Sequence, residues 1–203
     1  MHQSESIRST NSYPPRSVHG GWALFRGWLL ANILGWSGGM VPGYFFPVRE
    51  PVMPLITGVC LGLILGLAQW RVLRRRVPHA GWWIPVTTGA LLLLWAINPT
   101  RLGLITGCII GVAQWPLLHH KLDPIGFWII AHLPAWLLSS YFTAWIFLDG
   151  PVGTALNAGV SPLVNHLVFW GMFGLLYGSI TGAALWLMHY RLAGMPASQD
   201  GAP

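Results

Sequence analysis

Charged residues are scarce in this chain of 203 residues. Asp, Glu, Lys and Arg together make up 8% of it, whereas a soluble domain carries about 25%. Hydrophobic residues make up 54%, and apolar stretches of about 20 residues, enough to cross a bilayer core of about 30 Å, recur along the sequence. A large soluble domain is therefore a poor interpretation, and a multi-pass protein of the lipid bilayer is favoured.

Acidic residues are the rarest charged type. The five are Glu5, Glu50, Asp123, Asp149 and Asp200. None lies inside a predicted span, whereas transporters coupled to protons or sodium usually place a carboxylate within the membrane. The sequence also lacks a phosphate-binding loop and a paired nucleophile and base. We therefore expect no enzymatic activity and assign no catalytic residues.

Cysteine is nearly absent as well. Cys60 and Cys108 lie inside apolar segments, at positions that are not equivalent in the repeats described below. Two isolated cysteines of this kind predict small packing residues, and they provide no disulfide or metal framework.

The basic residues follow the ends of the apolar segments and give the chain a formal net charge of +6. No basic motif with interleaved aromatic residues is present, so nucleic acid is not an expected partner. With six spans, only Arg49 and Arg101 fall on one side of the membrane. The other nine fall on the opposite side: Arg8, Arg16, Arg26, Arg71, Arg74, Arg75, Arg76, Lys121 and Arg191. The positive-inside rule then predicts that both termini are cytoplasmic.

The predicted spans lie at about residues 22–38, 53–73, 82–98, 101–118, 126–147 and 167–189. They form one all-α membrane domain, residues 22–191. Residues 1–21 are predicted to be a disordered cytoplasmic tail, and residues 192–203 a short disordered C-terminal tail, because both are polar and contain Pro and Gly.

Glycine is abundant, and its most specific pattern occurs three times: three glycines four residues apart, a short step before a tryptophan. The nine positions are Gly58, Gly62, Gly66, Gly103, Gly107, Gly111, Gly174, Gly178 and Gly182. Residues with this spacing share one helix face, and small residues allow close helix packing in membranes. The pattern predicts a six-helix bundle of three parallel two-helix repeats (residues 22–76, 77–121 and 122–191) around a pseudo-threefold axis.

Tryptophan also recurs at equivalent positions. One set follows the glycines in the second helix of each repeat. The other set lies near the start of the first helix of each repeat. Because aromatic residues concentrate at membrane interfaces, we expect interface anchors at Trp28, Trp70, Trp83, Trp115, Trp128 and Trp186.

Five polar residues of the apolar segments fall at a similar depth: Asn32, Gln69, Thr87, Gln114 and His132. Lipid offers these side chains no hydrogen-bond partner, so they must find one within the protein. Two interpretations stay open, a layer of interhelical hydrogen bonds and a ligand-binding pocket built from the same groups.

The third repeat departs from the other two. Leu185 stands where the other repeats have glutamine, His132 stands where they have Asn or Thr, and His189 replaces a leucine. An ionisable residue within the membrane is a functional candidate, and the loss of the glutamine leaves His132 without its expected partner. His132 and His189 are the candidate metal ligands, for example of a tetrapyrrole, although no particular cofactor is predicted. The simpler interpretation is a neutral His132 bonded to a helix carbonyl.

Residues 66–74 (GLAQWRVLR) followed by residues 80–84 (AGWWI) carry a resemblance. This pattern is similar to that of uncharacterised multi-pass membrane proteins of cyanobacteria and other, often phototrophic, bacteria, which contain repeated GxxxGxxQWxxLR helical hairpins. The resemblance extends over about residues 27–190. It implies a location in the bacterial inner membrane and an association with a photosynthetic or respiratory complex, but it supplies no functional residues.

Two functions follow from these observations. The first is a non-enzymatic structural or accessory subunit that packs through its glycine faces against other membrane subunits or a second copy. The alternative is a binding or transport module for a small or lipophilic ligand, including a pigment or haem, in the polar layer around His132.

Overall fold

The computed structural model describes residues 18–45, 52–97, 104–118, 125–150, 153–154 and 158–194. Those residues form helices and connecting turns, with no strand among them. The long helices are α1 (Val18–Gly39), α3 (Met53–Leu73), α4 (Trp83–Ile97), α5 (Leu104–Leu118), α6 (Ile125–Ala144) and α7 (Pro162–Gly194), and α2 (Val41–Phe45) is a single short turn. A 3₁₀ turn at Ala80–Trp82 precedes α4, and a π-helical turn at Trp145–Asp149 extends α6.

Each of the six predicted spans coincides with one long helix. The second span, residues 53–73, has the bounds of α3. The first and last helices are longer than expected, since α1 begins at Val18 and α7 runs from Pro162 to Gly194. Residues 18–21 and 192–194, expected in the tails, are therefore helical, and the rest of both predicted tails lies outside the described residues.

Four helical segments are long and apolar enough to cross a membrane, which indicates a membrane protein. They are Met53–Leu73, Ala80–Ile97, Gly126–Leu148 and Pro162–Met188. Ile105–Leu118 in α5 is apolar but shorter, and α1 is less apolar because it contains polar residues such as Arg26 and Asn32.

The outer surface of the bundle carries many apolar side chains. Every long helix turns aliphatic side chains outward, among them Leu34, Leu67, Leu93, Val112, Ile130 and Leu187, each of which is exposed by 40% or more. Soluble monomers rarely expose apolar surface on this scale, whereas lipid tails solvate it without cost. The surface therefore agrees with the apolar composition of the helices.

The long helices pack in a closed ring. Each contacts the next along the chain, in the order α1, α3, α4, α5, α6 and α7, and α7 returns to pack against α1. The ring encloses a common interior, in which side chains of all six helices meet.

The interior holds two apolar clusters. The Trp28 cluster contains Leu24, Trp28, Leu73, Val77, Ala80, Trp83, Leu118, Trp128, Leu185 and Met188. The Trp36 cluster contains Trp36, Met40, Leu61, Leu65, Leu91, Leu94, Ile110, Ala135, Phe173 and Tyr177. On each helix the two clusters are about two turns apart, and the residue between them is polar in most of the helices. A polar layer therefore separates the two halves of the core.

The described glycines of the three ladders face a neighbouring helix. Gly58, Gly62 and Gly66 lie against α4, Gly107 and Gly111 against α6, and Gly174, Gly178 and Gly182 against α1. A Cβ atom on Gly66 would lie 3.1 Å from the Cα of Ile84, and one on Gly174 would lie 2.5 Å from the backbone oxygen of Asn32. Such backbone contact leaves no room for a side chain. Gly103 lies outside the described residues.

We predict that Gly62→Ala destabilises the protein relative to Gly89→Ala. A Cβ on Gly62 meets the Cα of Thr88 in the backbone of α4, whereas one on Gly89 meets nothing within 4 Å. Both substitutions gain the helix propensity of alanine, so the difference between them isolates the contact. We expect about 1–3 kcal/mol, the usual cost of overpacking, in unfolding titrations in mixed detergent micelles. Equal stability of the two variants would show that α3 and α4 do not pack this closely.

Candidate functional site

The five polar residues singled out in the sequence are all buried in the interior of the ring. Asn32, Thr87 and His132 are 0% exposed, and Gln69 and Gln114 are 1% exposed. Each lies between the two apolar clusters on its own helix. The side chains of four of the five join one hydrogen-bonded network, and His132 does not join it.

Gln69 is the centre of this network. Its Nε2 donates to Oδ1 of Asn32 at 3.1 Å. Its Oε1 accepts from the indole Nε1 of Trp83 at 2.8 Å and, more weakly, from Nε2 of Gln114 at 3.4 Å. Gln114 Nε2 also donates to Oγ1 of Thr87 at 3.0 Å. A single glutamine thus links α1, α3, α4 and α5.

Three tryptophans of the Trp28 cluster lie on one side of the polar layer and pack against one another. The ring centroids of Trp28, Trp83 and Trp128 lie 5.8–6.3 Å from one another, with edge-to-face geometry. All three are 0–1% exposed. An interface anchor needs a ring at the protein surface, so the anchor role expected for these three is wrong, and they belong to the core. Trp70, Trp115 and Trp186 are partly buried, and their role as interface anchors stays a prediction.

The hydrogen bonds of the tryptophan Nε1 groups show the effect of having Leu185 in place of a glutamine. Trp83 donates to Gln69 of the preceding helix, but Trp28 has Leu185 at the corresponding place on α7. Its Nε1 donates instead to Oγ1 of Thr181 at 2.9 Å, one turn before Leu185. Thr181 is fully buried and is the polar residue that the sequence reasoning missed. The sequence signal for Thr181 is a hydroxyl side chain four residues before Leu185, the position at which the other two glycine patterns have glutamine.

His132 faces the interior of the bundle. Its Nδ1 lies 2.8 Å from the backbone oxygen of Trp128, and since a carbonyl only accepts, Nδ1 carries the hydrogen. In the neutral ring Nε2 is then an acceptor, and it has no hydrogen-bond partner among the described residues. The rings of Trp128 and Tyr177 lie 4.5 Å and 5.6 Å from the imidazole. The bond to a helix carbonyl is the simpler of the two arrangements that the sequence left open for His132.

Two further buried atoms in this part of the layer lack a partner, Oε1 of Gln114 and Nε1 of Trp128. Trp83 donates to Gln69, but the equivalent bond from Trp128 to Gln114 is not formed. Around His132, one donor and two acceptors of the polar layer therefore have no hydrogen bond among the described residues.

The candidate metal ligands do not come together among the described residues. Within that part of the chain no group of three His, Cys, Asp or Glu side chains could hold a metal ion. His189 lies in the last turns of α7, but its side chain is outside the described part of the structure. His132 is thus a single candidate ligand, enclosed by aromatic rings.

No protein-family model, curated protein or solved structure matches this chain. The resemblance to multi-pass bacterial proteins therefore stays an expectation, and the function is argued from the chain's own geometry.

Restoring the missing glutamine should stabilise the bundle. In Leu185→Gln the new amide would donate to Nε2 of His132 and accept from Trp28, as Gln69 does for Asn32 and Trp83. We expect this variant to be more stable than the apolar control Leu185→Met by about 0.6–2 kcal/mol, the range of interhelical hydrogen bonds in membranes. Unfolding titrations in mixed micelles measure the difference.

A second substitution makes this test specific. Adding His132→Leu to Leu185→Gln should remove the gain, because the new amide then loses its acceptor. A Leu185→Gln variant that is no more stable than Leu185→Met would contradict the assignment of Nε2 as an unsatisfied acceptor.

Proposed function

We propose that this chain is a non-enzymatic multi-pass membrane protein that serves as a structural or accessory subunit. Its six long helices span the bilayer as three parallel two-helix repeats around a pseudo-threefold axis, with both termini in the cytoplasm. Its partners are the lipid bilayer and either other membrane subunits or a second copy of the chain.

The observation that carries this proposal is the hydrogen bonding among the polar side chains of the interior. The side chains of Asn32, Gln69, Thr87 and Gln114 hydrogen-bond to one another and to Trp83 deep in a packed core. Of their polar side-chain atoms, Oε1 of Gln114 alone has no such bond among the described residues. Groups that are buried and bonded in this way stabilise helix association, because lipid provides no competing partner. They are not presented to a substrate.

The repeat arrangement is supported by equivalent contacts. The glycine ladder of α3 faces α4, that of α5 faces α6, and that of α7 faces α1. In each case the second helix of one repeat packs on the first helix of the next, and the ring closes after three steps. The triangle formed by Trp28, Trp83 and Trp128 lies where an axis relating the repeats would pass.

The orientation is supported by the position of the described arginines. Arg26, Arg71, Arg74, Arg75 and Arg76 are exposed at the end of the ring that holds the Trp28 cluster. By the positive-inside rule this end faces the cytoplasm, and its arginines are placed to contact anionic lipid headgroups.

Cysteine labelling tests this orientation. In a Cys60→Ala, Cys108→Ala background, we expect a membrane-impermeant maleimide to label Val52→Cys and Ser161→Cys on intact inner membranes. Both residues are exposed at the end opposite the arginines. Arg75→Cys should be labelled only after the membrane is disrupted. The reverse pattern, or labelling of all three in intact membranes, would overturn the proposed topology.

The alternative function is a binding module for a pigment, haem or other small ligand at His132. It is favoured by the unpartnered atoms Nε2 of His132, Oε1 of Gln114 and Nε1 of Trp128, since a buried polar group without a partner is costly. Against it, the rings of Trp128 and Tyr177 crowd the imidazole, and a macrocycle would have to displace them.

One purification distinguishes the two functions. We expect the protein, extracted in mild detergent from its native membrane, to have a native mass above that of the monomer, and to show no absorption band in the visible range. The mass reports a partner subunit or a second copy. A strict monomer would contradict the subunit role, and a visible band that His132→Leu removes would establish the pigment or haem alternative.

A further inference from the structure

A cavity of about 420 Å³ lies at the end of the bundle opposite the exposed arginines. It opens between the start of α7, the π-helical turn after α6 and the short helix α2. Among the described residues, its lining includes Tyr44, Phe147, Leu148, His166, Phe169 and Trp170. The volume is within the range of small-molecule sites, about 300–1,000 Å³.

Aromatic rings form a continuous wall around this cavity. The ring of Tyr44 lies 5.4 Å from that of His166, which lies 6.2 Å from Trp170. Phe169 lies 5.1 Å from Trp170 and 5.5 Å from Phe147. Aromatic rings at these distances prefer edge-to-face or offset stacking, and a planar ring of similar size can join such a set.

His166 supplies the cavity with a hydrogen-bond acceptor of fixed orientation. Its Nε2 lies 2.9 Å from the backbone oxygen of Met40. Since that carbonyl only accepts, Nε2 carries the hydrogen, and in the neutral ring Nδ1 is an acceptor. No hydrogen bond to Nδ1 is formed by the described residues.

The lining and the surroundings restrict the ligand further. None of the described lining residues is Asp, Glu, Lys or Arg, so this part of the lining offers no ionic partner for a phosphate or an ammonium group. Leu148, 75% exposed, stands at the edge of the cavity on the apolar outer surface. A ligand that reaches the cavity from the bilayer would be lipophilic.

We propose that this cavity binds a lipophilic aromatic molecule that carries a hydroxyl group, the chemistry of a phenol or a hydroquinone ring. The ring packs between Phe169 and the neighbouring aromatic side chains, and its hydroxyl donates to Nδ1 of His166. The site lies at the opposite end of the Trp36 cluster from the polar layer, and it is independent of the subunit role, which can fail without affecting it.

The test uses the full-length chain in lipid nanodiscs and a hydroquinone with a ten-carbon tail, kept reduced. Titration calorimetry, corrected with empty nanodiscs, should show saturable binding. The oxidised quinone and the dimethyl ether of the same compound keep the ring and the tail but have no hydroxyl to donate. We expect each of them to bind at least tenfold more weakly. Equal binding of the three compounds, or partitioning without saturation, would overturn the proposal.

Variants locate the binding in the protein. His166→Leu should weaken binding of the hydroquinone at least tenfold and leave binding of the dimethyl ether unchanged, whereas Phe169→Leu should weaken both. The control is His79→Leu, an exposed histidine at the arginine end, which should change neither. An unchanged affinity of His166→Leu for the hydroquinone would overturn the proposal. If that variant does not fold, the comparison of the three compounds in the wild-type chain still decides.

Discussion

The structure depends on one constraint: a polar side chain inside a lipid-solvated bundle has no partner except another part of the protein. Gln69 meets it by bonding to side chains from three other helices, Asn32, Trp83 and Gln114. These bonds are directional, so they fix the depth and the rotation of α1, α3, α4 and α5 relative to one another. The apolar clusters on either side pack around that fixed layer. Without it, leucine faces in lipid would have little preference for one register over another.

Close packing of the ring is the condition that lets the layer form. The amides of Gln69 and Gln114 reach across the interior only because the glycine ladders bring neighbouring backbones into contact. On α3 and α5 the glutamine follows the last glycine of the ladder by three residues, so close packing and hydrogen bonding occur next to each other. The glycine pattern thus has a mechanical basis, since each ladder packs against the next helix of the ring.

The third glycine ladder differs from the other two in the residue that follows it, Leu185 instead of glutamine. Leu185 removes two hydrogen-bonding groups. Thr181 compensates for one of them by accepting from Trp28, whereas Nε2 of His132 stays without a partner. Far from this defect, the cavity beside His166 lies where the π-helical turn ends α6 and where α7 begins. The unsatisfied atoms around His132 and this cavity are therefore separate features of the bundle.

The sequence by itself determined the six helices, the common depth of Asn32, Gln69, Thr87, Gln114 and His132, and the position of the missing glutamine. These follow from local periodicity and helix rise, which depend on one segment at a time. Only the tertiary structure decided that Trp28, Trp83 and Trp128 meet in the core, that Thr181 replaces the glutamine for Trp28, and that Tyr44 and His166 share a cavity. Periodicity assigns a residue to a face and a depth, but which neighbour that face meets depends on how the ring closes.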